Sequence, residues 1–456
     1  MDDQVALLIP PAPRVHRHPL PAWRLVAAML RNPLTVYCEQ DFQNAIGQRR
    51  LFGRNNIGLN EPGAIRHVLG ASAAKYRRPV VIGRLLRWVL GDGLFLAEGG
   101  TWRRQRKMLA PVFSPAQTGE LLPHFVAAGA TLLRRLDGRS EAWLSAEFHQ
   151  ATLDALLRSL FSTPADEQGA EMAALVRCYL DGPGKPKLSD ALARREGDFD
   201  LLNGPRRRFQ ARWLAMVDGL VAERRDDGNS RRSRDLLDIL LAARDPESNA
   251  KLPATEVRDQ TATMLFAGFE TTTRLLSWAA YLLALDRREQ ALIRREIAAF
   301  PTDRVASLGD LENWPRLRRA LLETLRLYPP VPLMVREAIE TDEIMGEVVT
   351  PGDFVWISPW TLHRHLGHWK HPTAFDPDRF ANQSQPWAQG PFMPFGGGPR
   401  ICIGASFAMA EAQILMAMLL ERFGVALRDP RPVLPVGSTT TVQDHEPRFL
   451  LSARAA

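Results

Sequence analysis

The chain has 456 residues, 45% of them hydrophobic and 24% charged, which excludes a disordered or fibrous protein and supplies a large core. Its three cysteines, Cys38, Cys178 and Cys402, are odd in number and far apart, so they form neither a disulfide framework nor the start of a zinc site. The net charge of +7 raises nucleic acid as a partner, but the arginines are dispersed among acids, as in residues 223–235, and no nucleic-acid motif is present. A basic surface for an acidic partner protein is the better reading.

No apolar run is long enough to span a bilayer. Residues 21–33, PAWRLVAAMLRNP, are apolar on one side and read as a packed first helix in preference to a membrane-surface one. In GGTWRRQRKMLAPVF, residues 99–113, Trp102 and Arg106 stand at i and i+4. An indole N–H and a guanidinium on one helix face suit an anionic group; otherwise this is a solvated basic helix with one buried tryptophan. Helical apolar spacing continues through residues 141–161 and 209–225, with turn-like breaks at 181–186, 226–230 and 245–249.

The longest helical segment covers residues 254–285 and contains AGFETTT, Ala267 to Thr273. Gly268 costs up to ~1 kcal/mol against alanine inside a helix, so something gains from it. Thr271 and Thr272 can bond back to carbonyls one turn earlier, and Glu270 stands beside them in an apolar stretch. Taken alone, this is a glycine that admits a neighbouring helix and an acid that faces solvent. The next helix, RLRRALLETLRLYPP (316–330), sets Glu323 and Arg326 at i and i+3, by default a surface pair worth ~0.2–0.5 kcal/mol. Residues 343–358 read as a hairpin around Pro351-Gly352. In PFGGGPRICIG (394–404), Gly398 is followed by Pro399 and Arg400, which removes the phosphate-loop reading. Cys402 then precedes an apolar helix at 405–420, whose positive end would favour thiolate, and a single axial thiolate to iron becomes plausible. A lone cysteine is otherwise a small buried hydrophobe.

Together and in this order, the motifs resemble those of the cytochrome P-450 superfamily, the haem-thiolate monooxygenases. Phe395, Gly398, Arg400, Cys402 and Gly404 fit its cysteine loop, AGFETT its oxygen-activation segment, and Trp102 with Arg106 its W-x-x-x-R helix. Glu323 and Arg326 fit its E-x-x-R, and FDPDRF supplies Arg379, with Asp378 where glutamate is frequent. The resemblance implies one domain over residues 1–456, mainly α with a small β part, and haem b (iron protoporphyrin IX) between a long distal helix and the proximal cysteine loop. Cys402 would ligate the iron, Phe395 would pack beneath the haem, and Gly404 would offer an N–H to the sulfur. Trp102, Arg106, Arg336 and Arg400 would hold the propionates. Glu323, Arg326 and Arg379 would form a buried structural network. Thr271, with Glu270 behind it, would feed protons through water to O2. Leu265, Ala267, Phe269, Val331, Leu333 and Met334 would line an apolar distal pocket.

The implied function is monooxygenation of a lipophilic small molecule such as a fatty acid, terpenoid or aromatic. Electrons would come from NAD(P)H through a separate ferredoxin or flavodoxin and its reductase, docked on a basic face with Arg103, Arg104 and Lys107. Two alternatives remain: a peroxide-using or rearranging haem-thiolate enzyme, and a non-catalytic haem-binding sensor. The sequence lacks the N-terminal anchor of membrane-bound members, so the resemblance is to a soluble, cytoplasmic, prokaryotic-type member.

Overall fold

Pro21 and Pro33 bracket the first helix, α1 (Ala22–Arg31): proline's φ suits a helix start, while its missing N–H and its ring exclude it from the interior. The computed structural model describes residues 7–453 apart from 52, 166, 186, 188, 191–202, 227–234, 246, 383–389 and 438. The break expected at 226–230 therefore lies, beyond Asp226, outside the described residues, as do Pro186 and Pro246 of the other two breaks. Contrary to the expected packed helix, α1 buries Leu25 while Trp23 and Leu30 stay exposed.

The longer helices that follow are α2 (Val80–Leu90), α3 (Gly99–Leu109), α4 (Leu122–Leu136), α5 (Leu144–Phe161), α6 (Glu167–Asp181) and α7 (Gly204–Asp226). Next come α8 (Ala254–Leu285), α9 (Arg287–Ala299), α10 (Pro315–Leu327) and α11 (Ala405–Arg422). The strands are short: β1 (Ile46–Leu51), β2 (Arg54–Leu59), β3 (Tyr76–Arg77), β4 (Glu141–Ala142), β5 (Met334–Ala338) and β6 (Asp342–Ile344). They continue with β7 (Glu347–Val349), β8 (Phe354–Ile357), β9 (Phe423–Leu427), β10 (Pro435–Gly437), β11 (Thr441–Gln443) and β12 (Phe449–Ala453).

The 32-residue α8 runs through the centre and packs along α5. A Cβ at Gly268 would lie 2.9 Å from Leu156 Cδ2 of α5, so this glycine admits a neighbouring helix. Polar contacts tie the same seam: the hydroxyls of Thr152 and Thr273 are 2.7 Å apart. Most of α8 is buried, while Ala267 is exposed and Gly268 and Thr271 are half-buried in its middle. Residues accessible on one face of a central helix border internal space.

The largest sheet has the order β1-β2-β8-β5-β3, and its inner face closes a small core of Ile57, Val68, Leu69, Val355 and Ile357. The expected hairpin around Pro351-Gly352 is corrected. β7 turns back through Met345-Gly346 onto β6, whereas β8 joins the large sheet between β2 and β5. Met345 and Gly346 both take positive φ, the combination that suits a tight hairpin turn. The helix expected from residue 141 begins at Leu144, because Glu141 and Ala142 pair with Leu450 and Phe449 of β12.

Candidate active site

The segment that ends in Cys402 is shaped by backbone contacts. The Cys402 N–H donates to the Phe395 carbonyl at 2.8 Å, and Gly396 and Gly398 take φ values of +77° and +65°. A Cβ at Gly398 would sit 2.0 Å from the carbonyl oxygen of Leu69, so this position admits glycine alone. The thiol of Cys402 is accessible by surface area, yet burial pushes its pKa up. Both hold for a group that faces an enclosed internal space. The Gly404 N–H and the Arg106 guanidinium act in the opposite direction and are outweighed. The thiolate expected from the helix end alone is thus not what this geometry gives; a thiol here ionises against a further positive partner.

Three guanidinium groups converge around Glu98. Arg78, just after β3, donates to Glu98 Oε1 at 3.1 Å. Arg400 donates to the other oxygen of Glu98 and to the Ala97 carbonyl at 2.9 Å, and its guanidinium lies 4.5 Å over the Trp102 ring. Arg336, on β5, has its pKa lowered to about 10 by burial and by the charges of Arg78 and Arg400. Arg400 is also pushed down to about 10, by burial and by Arg78. Three cations around one carboxylate leave a surplus of two positive charges. Arg106 is separate from this group and nearer the sulfur, since the charge it feels is that of Cys402. Arg78 carries no motif in the sequence; only the pairing of β3 with β5 brings it beside Arg336.

Behind the loop, Glu323 and Arg326 are wholly buried, which corrects the default surface pair. Arg326 donates from Nε and Nη2 to the two oxygens of Glu323, each at 2.7 Å. Its remaining N–H groups reach the carbonyls of His363, Pro372 and Ala374 at 2.6–2.8 Å, so all five donors are used. Arg379 Nε and the Asp376 N–H both donate to Glu323 Oε1, at 3.0 and 2.9 Å.

On the accessible face of α8, Thr271 Oγ1 donates to the Ala267 carbonyl at 2.8 Å. Glu270, expected behind it, is turned toward α5: it accepts from Arg274 Nε at 2.9 Å and stands 3.7 Å from His149 Nε2. Ala267 and Val331 are exposed and Leu333 is half-buried, as a lining requires. Two expected lining residues are corrected. Leu265 and Phe269 are 0% and 2% exposed and belong to the core. Met334 is half-buried, packed against the small core under the sheet with its Sδ 3.7 Å from where a Cβ at Gly396 would be. Phe395 is partly buried against the main core.

A family model described as Cytochrome P450 matches residues 28–451. Cyclooctatin synthase of Streptomyces melanosporofaciens is 29% identical over 96% of this chain and 97% of its own length. Cytochrome P450 4F2 of Homo sapiens is 31% identical, covering 81% of this chain and 76% of its own. The solved structure described as the cytochrome P450DA heme domain shares the fold, with a TM-score of 0.78 at 23% identity over 98% of both chains. The family match makes this mainly helical chain an oxygen-incorporating haem oxidoreductase. It belongs to the cytochrome P450 family, whose members take O2 and electrons from a redox partner. The residues present fit the haem: iron is the positive partner that Cys402 calls for, and two propionates match the two surplus charges of the arginine cluster. Among the described residues, no helix is long and apolar enough to cross a membrane.

Proposed function

We propose that all 456 residues act as one haem domain that hydroxylates, or otherwise oxidises, a lipophilic small molecule. Its electrons pass from NAD(P)H through a separate ferredoxin or flavodoxin and its reductase. The observation that carries this reading is the accessible Thr271 hydroxyl, beside Ala267, in the middle of a largely buried helix.

Bound haem supplies the redox-active iron at which O2 is activated; the chain does the rest. Cys402 is the iron ligand, and the Gly404 N–H and Arg106 stabilise its negative charge. Arg78, Arg336 and Arg400 hold the propionates, with Trp102 stacked beneath Arg400. The Glu323–Arg326–Arg379 network fixes the segment ahead of the cysteine loop and takes no part in chemistry. Thr271 presents an acid–base hydroxyl to the groove, and a water between it and Glu270 carries protons inward. The exposed faces of Ala267, Val331 and Leu333 keep the groove apolar, which favours a fatty acid, terpenoid or aromatic substrate. The name of one relative, cytokinin hydroxylase of Arabidopsis thaliana, is in keeping with a hydroxylating reaction.

The partner surface is smaller than the sequence implies. Arg103 and Lys107 face outward on α3, but Arg104 is paired with Glu256, and Lys107 donates to Glu247 at 2.9 Å. The net charge of +7 still favours an acidic electron donor.

The test is turnover of lipophilic compounds that displace water from the ferric haem, read as a spectral shift. Product should form with NAD(P)H, ferredoxin and its reductase, and not with peroxide alone. Product with peroxide and none with the electron-transfer chain would instead make it a peroxide-using enzyme.

A further inference from the structure

The Glu270 carboxylate is held from two sides. Arg274, one turn further along α8, donates to Oε1, and His149 of α5 brings Nε2 to 3.7 Å from Oε2. The imidazole stands edge-on to the Phe269 ring, with centroids 5.1 Å apart and planes at 85°. It is 6% exposed, and its Nδ1 has no hydrogen-bond partner. Leaving a buried polar group unpaired costs about 1–3 kcal/mol. Packing alone does not ask for histidine here, since Phe148, Leu153 and Leu156 of the same helix fill the core without that cost. The charged groups whose fields reach the ring are Glu270 and Arg274 of α8 and Arg177, exposed on α6. Burial outweighs the carboxylate and, with the two arginines, pushes the imidazole down to about 4, so the ring is neutral at working pH.

We propose that His149 is the outer station of the proton path that ends at Thr271. The inference rests on the oxygen chemistry proposed above. A monooxygenase turnover consumes one O2, two electrons and two protons, placing one oxygen atom in product and the other in water. The electrons come from the redox partner, and the protons come from solvent. A neutral imidazole has one N–H and one lone pair on opposite edges, so it can take a proton on one nitrogen and release one from the other. Nδ1 has no partner and almost no solvent contact in this structure, so the relay needs a water admitted beside it; from that water Nδ1 takes a proton while Nε2–H passes its own to Glu270 Oε2, directly after a small closure or across one water. Glu270 gives the proton to the water beside Thr271, and rotation or proton exchange of the ring restores the first tautomer. Arg274 keeps the carboxylate within reach of both.

His149→Phe keeps the ring's shape and removes its proton chemistry. Haem content, the ferrous carbon monoxide spectrum and substrate binding should stay normal. Peroxide formed per NAD(P)H should rise by on the order of tenfold, below the ~10²–10⁴ of removing a terminal acid or base. The solvent isotope effect on product formation should grow. In His149→Ala, imidazole in solution should restore part of the coupling, which a merely structural role would not allow. Wild-type coupling in His149→Phe overturns the proposal, and so does a loss in His149→Ala that imidazole leaves untouched. NMR titration of the ring in the diamagnetic ferrous carbonyl form tests the geometry without turnover. His149 should titrate at about 4 and move lower in Glu270→Gln, which removes the one charge that raises it; an ordinary titration near ~6.5 overturns the proposal. Should the titrations be as expected while Thr271→Ala couples normally, the oxygen chemistry is what fails, and the relay falls with it.

Discussion

His363 accepts the amide hydrogen of Met393 on Nε2 at 2.9 Å, while its other ring nitrogen lies 3.3 Å from the carbonyl oxygen of Arg326. One buried ring thus joins the Glu323–Arg326 network to the segment that leads into Cys402. Its carbonyl also accepts from Arg326 Nη1, so backbone and side chain of one residue clamp both partners.

Arg326→Leu should therefore act on the haem site from a distance. Removing one partner of a buried ion pair costs ~3–5 kcal/mol, and here five donors are lost together. The expected outcome is a lowered urea midpoint together with loss of haem absorbance. Arg326→Lys should not restore either, because an ammonium cannot reproduce the bidentate contact with Glu323. Normal haem loading in Arg326→Leu would show the network to be dispensable.

Stability should also fall with acid through His363. Burial first, then the charges of Arg326 and Arg364, push its pKa down to about 3 in the folded chain. The unfolded chain, with histidine near ~6.5, binds the proton first, so stability is present above that value and is lost as pH falls toward the folded pKa. The share of this one residue is about 2 kcal/mol between roughly pH 7 and pH 5, from 1.36 kcal/mol per unit of pH. Urea midpoints at the two pH values should converge in His363→Gln relative to wild type. An unchanged pH slope in that variant would mean that His363 binds its proton as readily in the folded chain as in the unfolded one.

Thr271→Ala should leave haem and substrate binding intact and divert electrons to peroxide. Its hydroxyl faces the groove and is otherwise bonded only within its own helix turn, so folding loses little. Acid–base assistance of ~10²–10⁴-fold sets the scale of the loss in coupling. Unchanged product per NAD(P)H would remove Thr271 from proton delivery.

Electron delivery should depend on salt. Exposed charges are screened beyond ~8 Å at physiological ionic strength, so first reduction by an acidic donor should slow as salt rises. Arg103→Glu/Lys107→Glu should slow it at low salt with haem content unchanged. Because Lys107 already shares its charge with Glu247, Arg103→Glu alone should account for most of the effect. A reduction rate equal to wild type at low salt would place the docking face elsewhere.

The parts of the site readable from sequence are those whose meaning is local. The cysteine loop and the Glu323-x-x-Arg326 pair are fixed by spacings of a few residues. The lining is only partly legible by the same logic. Ala267 and Thr271 are four apart and share a face of α8, whereas Leu265 and Phe269 share another, about 200° of helix rotation away. The misplaced hairpin has a different cause. Pro351-Gly352 is a good turn in isolation, but β8 finds its partners in β2, nearly three hundred residues back in the chain, and in β5. Arg78 and His149 gain their importance from strand and helix pairing alone, and nothing in their neighbours announces it.

The position of Gly398 has a consequence for how this chain can change over generations. Its obstacle is the main-chain oxygen of Leu69, which every amino acid at position 69 would present equally. No second-site replacement of that residue can make room, so the glycine is locked. Gly268 faces the methyl groups of Leu156, and a shorter residue there would open the way to alanine. Two glycines of one site thus differ in their evolutionary freedom: one can move in step with a neighbour, and the other has no path out.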